Sequence, residues 1–171
     1  MDALAQLVAR DQIRQLAERY ALAIDVRDLD RLVELFVSDV DCGRWGTGRQ
    51  ALRESFESQL RECGPTVMQV ANHVIDFDDD AHAHGVATGI VEASRPEGWV
   101  RQAIQYHDAY ERRGESWLFV RRDHRLWYGV VLPYDPMAQP QANWPKSQIG
   151  RGTVPECWES WRAFQQGEGD A

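Results

Sequence analysis

The hydrophobic pattern of this chain changes period once, at Thr66, and that change limits the folds open to it. Before it, apolar residues recur at intervals of three and four. Leu4, Leu7, Val8, Ile13, Leu16, Ala17, Tyr20 and Ile24 form one stripe of a helix, and Leu29, Leu32, Val33 and Phe36 form that of a second, Leu29 to Val37, with Asp28 as its N-cap. The break falls at Asp25 to Arg27. CGRWGTG, residues 42 to 48, holds three glycines and reads as a loop; Gln50 to Arg61 reads as a third helix, stopped by Gly64-Pro65. Beyond Thr66, β-branched and aromatic residues gather in four stretches, 66 to 77, 83 to 95, 99 to 112 and 116 to 131. Asp78-Asp79-Asp80, Arg95-Pro96-Glu97-Gly98 and Arg113-Gly114-Glu115 separate them. Helices first and hairpin-linked antiparallel strands second is an α+β arrangement, in which helices cover one side of a sheet that can bend around a cavity.

Residues 1 to 132 therefore read as one domain, and 133 to 171 as an arm that ends in a short helix. The arm, 133 to 153, is rich in Pro, Gly, Gln and Asn and has no period. Pro155 to Gln166 offers Trp158, Trp161 and Phe164 as anchors, for which contact with a neighbouring subunit is slightly favoured over packing on the chain itself. At 171 residues, with 43% hydrophobic and 27% charged residues, the chain has the composition of one globular domain.

A net charge of -8 and a pI near 5.1 argue against a nucleic-acid partner, which would require a concentrated basic face. Arg121, Arg122 and Arg125 alternate with other residues along a strand and divide between its faces. No stretch resembles a secretion signal or a membrane helix, and a cytoplasmic location is expected. Cys42, Cys63 and Cys157, odd in number and widely spaced, suggest free thiols.

Asp25 stands where the first helix ends, and the helix dipole disfavours a carboxylate there by about 0.3 to 1 kcal/mol. Two readings offset that cost. In one, the side chain bonds to the backbone of the following turn; in the other, it points into a pocket and holds a histidine. His73, in VANHVID, is the candidate partner, because a carboxylate on one ring nitrogen fixes the tautomer and leaves the other nitrogen to take a proton from carbon. His82 and His84 share a strand face beside an acidic turn and have no third ligand, so no metal site is assigned. His107 and His124 lie on separate strands and could face either way. Dinucleotide, P-loop and serine-hydrolase motifs do not occur, which leaves side-chain proton transfer as the simplest chemistry.

RYALAIDVRDLDRLVELFVSDV at the start, His73 in VANHVID and the hairpin DAYERRGESWLFVRR together resemble the SnoaL-like branch of the NTF2-like superfamily. The likeness covers roughly residues 8 to 130. It implies a cone-shaped α+β barrel with N-terminal helices packed on a curved antiparallel sheet. Scytalone dehydratase, hexachlorocyclohexane dehydrochlorinase and bile-acid 7α-dehydratase have this pattern and are cofactor-free lyases, in which a His paired with an Asp is the base. The resemblance therefore implies a lyase or isomerase without cofactor or metal, acting on a hydrophobic, polycyclic-type small molecule. His73 would be the base, Asp25 its orienter, Tyr20 an electrophilic donor and Arg122 an anion stabiliser. Tyr106, Phe36, Cys42, Trp45, Ile104 and His124 are the expected pocket positions. On a regular helix Tyr20 and Asp25 diverge by about 140°, so the helix must end or distort near Ile24 for both to face one cavity. A non-catalytic binding or assembly module of the same fold is the alternative. A homo-oligomer is implied as well, a trimer before a dimer.

Overall fold

The computed structural model describes residues 1–167. Helix α1 spans Ala3–Val26, α2 Leu29–Glu34, α3 Arg49–Arg61 and α4 Glu159–Gln166; the strands are β1 Thr66–Phe77, β2 His82–Arg95, β3 Gly98–Arg113 and β4 Ser116–Val131. The strands form one antiparallel sheet in the order β1-β2-β3-β4. Strand limits agree with the periodicity to within a residue. The second helix is shorter than its apolar stripe suggested, because Phe36 leaves the helix to form a bridge with Phe119 of β4.

Asp2 caps α1 by accepting from the Ala5 N–H, and Arg27 ends it in the left-handed conformation (φ 59°). That conformation is unfavourable for a residue with a Cβ. Here the buried Arg27 guanidinium offsets the cost by donating to the Thr66 hydroxyl and the Gly64 carbonyl and by lying 4.8 Å from the centre of the Trp161 ring. Asp28 then caps α2 through the Arg31 N–H.

The helices lie on the concave face of the sheet. Strand periodicity alone assigns inward residues, but three register shifts alter it. The shift between Val70 and His73 keeps Thr66, Met68 and Val70 on the same face as His73, Ile75 and Phe77. A second, at Val120, keeps Phe119 and Arg122 together, and a third lies at Trp127. The inward column of β2 is small: Ala83, Gly85, Ala87 and Gly89. A Cβ on Gly85 would lie 2.6 Å from the Val74 carbonyl oxygen and 3.3 Å from the Tyr110 ring, so the large rings of β3 lean over space that only glycine provides.

Of the two contacts expected for it, α4 makes the one with its own chain. Phe164 joins the main core, Arg61 donates to the Phe164 carbonyl and lies 3.9 Å from its ring centre, and Ser160 donates to the Val26 carbonyl. Trp158, expected as an anchor, is 39% exposed; it precedes the helix, whose inward positions are Trp161 and Phe164.

Candidate active site

Tyr20 of α1 is the centre of an aromatic cluster. Its ring lies 5.7 to 6.4 Å from those of Phe36, Phe56, Tyr106 and Phe119, each pair contributing about 0.5 to 1.5 kcal/mol beyond area burial. Against this cluster lies Arg122, its side chain 3% exposed and its guanidinium carbon 4.1 Å from the ring centre of Tyr106, 4.3 Å from that of Tyr20 and 4.5 Å from that of Phe119. A cation buried so deeply requires a partner. Asp108, directly across the strand pair, accepts from Nε and Nη2 at 3.1 Å each.

The network continues from Asp108. Tyr110 donates to Asp108 Oδ2 at 2.9 Å, and His73 Nε2 lies 2.8 Å from the Tyr110 hydroxyl oxygen. Because the Tyr110 hydrogen is used on Asp108, its oxygen accepts, and the His73 proton sits on Nε2. His73 Nδ1 then keeps a lone pair that is buried and has no partner among the described residues. Burial, followed by the charges of Arg122 and Arg14, holds the His73 pKa down at about 4.

Asp25 is engaged elsewhere. Its two oxygens accept from the Thr66 hydroxyl at 2.8 Å and the Met68 N–H at 2.9 Å. His73 is five residues beyond Met68, and with the bulge between them the ladder advances four positions, from Val91 to Ala87 of β2, roughly 13 Å. The expected Asp25–His73 pair is therefore not made: the strand position beside the acid is occupied by Met68, and Tyr110 takes the place of the acid beside the imidazole. Burial, against the lowering pull of Met68, Thr66 and Arg27, pushes the Asp25 carboxyl up to about 6.

A cavity of about 450 Å³ opens between α1, α3, the loop after α2 and strands β3 and β4. Of the sequence-predicted residues, Tyr20, Phe36, Tyr106, Arg122 and His124 line it. Cys42, Trp45, Ile104, Asp25 and His73 are not in its wall. Cys42 points its thiol at the carbonyls of Val40 and Gly48, Arg44 lies over the Trp45 ring, and Ile104 is 1% exposed in the core. His73 instead adjoins a separate hollow of about 210 Å³ with Arg14, Glu18, Val70 and Ala71. Tyr20 and Asp25 thus do not share one space: α1 stays helical through Val26 and carries them to different faces.

The cavity presents donors. Tyr20 and Tyr106 stand together in its wall, their ring centres 5.7 Å apart, and each carries one phenolic hydrogen. Burial raises both phenols' pKa, keeping them protonated. Arg122 Nη1 is buried and has no partner among the described residues. Asp108 and Tyr110 were missed at the sequence level, although alternation in YHDAY places both on the Tyr106 face. His82 and His84 bind Asp79 and Asp78 in the acidic turn, and no cluster of three metal-ligating side chains occurs among the described residues.

The family model described as a SnoaL-like domain matches residues 5–123. Among solved structures, the chain is similar to a hexachlorocyclohexane dehydrochlorinase (LinA, type 2), at 20% identity over 77% of this chain and 95% of the other, with a TM-score of 0.70. It is also similar to a candidate scytalone dehydratase from Novosphingobium aromaticivorans, at 21% identity over 80% and 97% of the two chains, TM-score 0.65. A third is the β subunit of a candidate aromatic-ring-hydroxylating dioxygenase from the same organism, at 17% identity over 68% and 88%, TM-score 0.56. No curated protein matches the sequence.

Proposed function

The chain belongs to the SnoaL-like domain family of the NTF2-like superfamily, and on that premise we propose a cofactor-free lyase or isomerase that acts on a small hydrophobic molecule bearing a carbonyl or phenolic oxygen. The observation that carries this reading is the pair of protonated phenols, Tyr20 and Tyr106, in the wall of the cavity beside the Arg122–Asp108 ion pair. Loss of a proton next to a carbonyl puts negative charge on oxygen, and donors fixed in advance at that point, away from water, stabilise the transition state more than the ground state. Tyr20 and Tyr106 supply a phenolic hydrogen to that oxygen, and the charge of Arg122 lies beside them. Aromatic and aliphatic lining from Phe36, Leu52 and Phe56 suits an apolar ligand body.

The test is binding of 2-naphthol against naphthalene. Wild-type protein is expected to prefer the phenol, and Y20F/Y106F is expected to lose about tenfold of that preference, the value of one or two hydrogen bonds. Equal affinity for both compounds in the wild type would reject the donor role.

A second reading, a non-catalytic binding or assembly module, is favoured by one observation: Asp25 ties α1 to β1 rather than orienting an imidazole. It predicts ligand binding without turnover of any carbon acid. We also propose a homo-oligomer, trimeric before dimeric, supported by the apolar residues that β4 leaves in solvent.

A further inference from the structure

With His73 outside the cavity, the proposed reaction has donors and no assigned base. Four of the five imidazoles are committed elsewhere: His73 to Tyr110, His82 and His84 to the acidic turn, and His107 to Gln105 on the opposite face of β3. The fifth is His124. It stands directly across from Tyr106 on the inward face of β4, two residues beyond Arg122, and its ring is 5.6 Å from that of Tyr106. It lines the cavity, and no hydrogen bond to another described residue engages its ring nitrogens. The shift at Val120 that turns Arg122 inward also turns His124 inward, so base and donors share one wall.

We propose that His124 is the general base of this cavity, an inference that rests on the lyase or isomerase reading above. The imidazole takes the proton from carbon; the C–H electron pair forms the new double bond, and the carbonyl electrons move to the oxygen held by Tyr20 and Tyr106 beside Arg122. In an isomerase the imidazolium returns the proton to another carbon. In a lyase it delivers the proton to the departing hydroxyl, which leaves as water, and the carbonyl re-forms. Partial burial lowers the His124 pKa, while the residue stays exposed enough for a reactant to reach its ring. The titratable or charged groups that share its cavity are Tyr20 from α1, Tyr106 from β3, Asp41 from the loop, and Arg121, Arg122 and Asp123 from β4; α3 brings only the neutral Ser55 and Gln59.

The experiment uses 5-nitrobenzisoxazole, a neutral, flat carbon acid. Removal of its C3 proton forms a nitrile, breaks the N–O bond and releases a coloured phenolate. Wild type, H124Q and H73Q are compared, with 2-naphthol binding measured on each. Expected are turnover in the wild type whose acid limb lies below pH 6.5, the ordinary value for histidine, a loss of about tenfold or more in H124Q while naphthol still binds, and wild-type turnover in H73Q. Unchanged turnover in H124Q, or loss in H73Q, overturns His124 as the base and leaves the donor cavity standing. Naphthol binding without turnover in the wild type overturns the base as well, in favour of the binding module. Absence of naphthol binding rejects the cavity reading itself.

Discussion

At the scale of single residues, two buried ionisable groups oppose each other in the same pH range. The Asp25 pKa is raised from 3.8 to about 6, so the stability it contributes is complete below 3.8 and lost as pH rises through 6. The His73 pKa is depressed from 6.5 to about 4, so its contribution is present above 6.5 and lost as pH falls toward 4. The wild type should therefore change little between pH 6.5 and 4. D25N should lose stability on acidification across that window, H73Q should gain it, and urea titrations at several pH values would measure both. Arg122 gives a larger effect. R122M leaves the Asp108 carboxylate buried without its cation and should cost about 3 to 5 kcal/mol, while R122M/D108N should recover much of that in the melting temperature. Tyr20, Phe36 and Tyr106 were legible as pocket residues from periodicity and resemblance, whereas Arg122 and His124 were named only by resemblance, since their face depends on the bulge at Val120. His73 was legible as a strand imidazole but not in its partner, because the strand position at Asp25 falls to Met68, five residues earlier, and Tyr110 comes from β3.

At the scale of elements, the change of period at Thr66 foretold nearly every boundary, since both the 3.6 and the 2.0 repeats follow from which face is buried. What alternation cannot report is a bulge: Val120 and Trp127 each exchange the faces of everything beyond them, and nothing local in VRRDHRLW marks where. The place of α4 was equally hidden, because Trp161 and Phe164 find their partners in Arg27 and Arg61, far away in the chain. F164A should remove the contact between α4 and the core at a cost of about 3 kcal/mol or more, read as a lowered urea midpoint with an unchanged far-ultraviolet spectrum.

At the scale of the whole molecule, β4 is an edge strand whose Leu126, Trp127, Tyr128, Val130 and Val131 are all at least 46% exposed. Edges of this kind are normally charged or covered. Light scattering is expected to show more than one protomer per particle, and W127R to shift the population toward the monomer. The described residues contain no helix long and apolar enough to cross a membrane. The cavity itself carries a more particular consequence. Asp108 already balances Arg122, so the cavity floor is electrically neutral at rest while the phenols of Tyr20 and Tyr106 still offer a hydrogen to an incoming oxygen. A guest that arrives as an anion would meet no unmatched cation and would have to shed its hydration for little return. A neutral guest enters without that penalty and meets the donors only as its own charge develops, which makes the salt bridge a filter for reactants that ionise inside rather than outside.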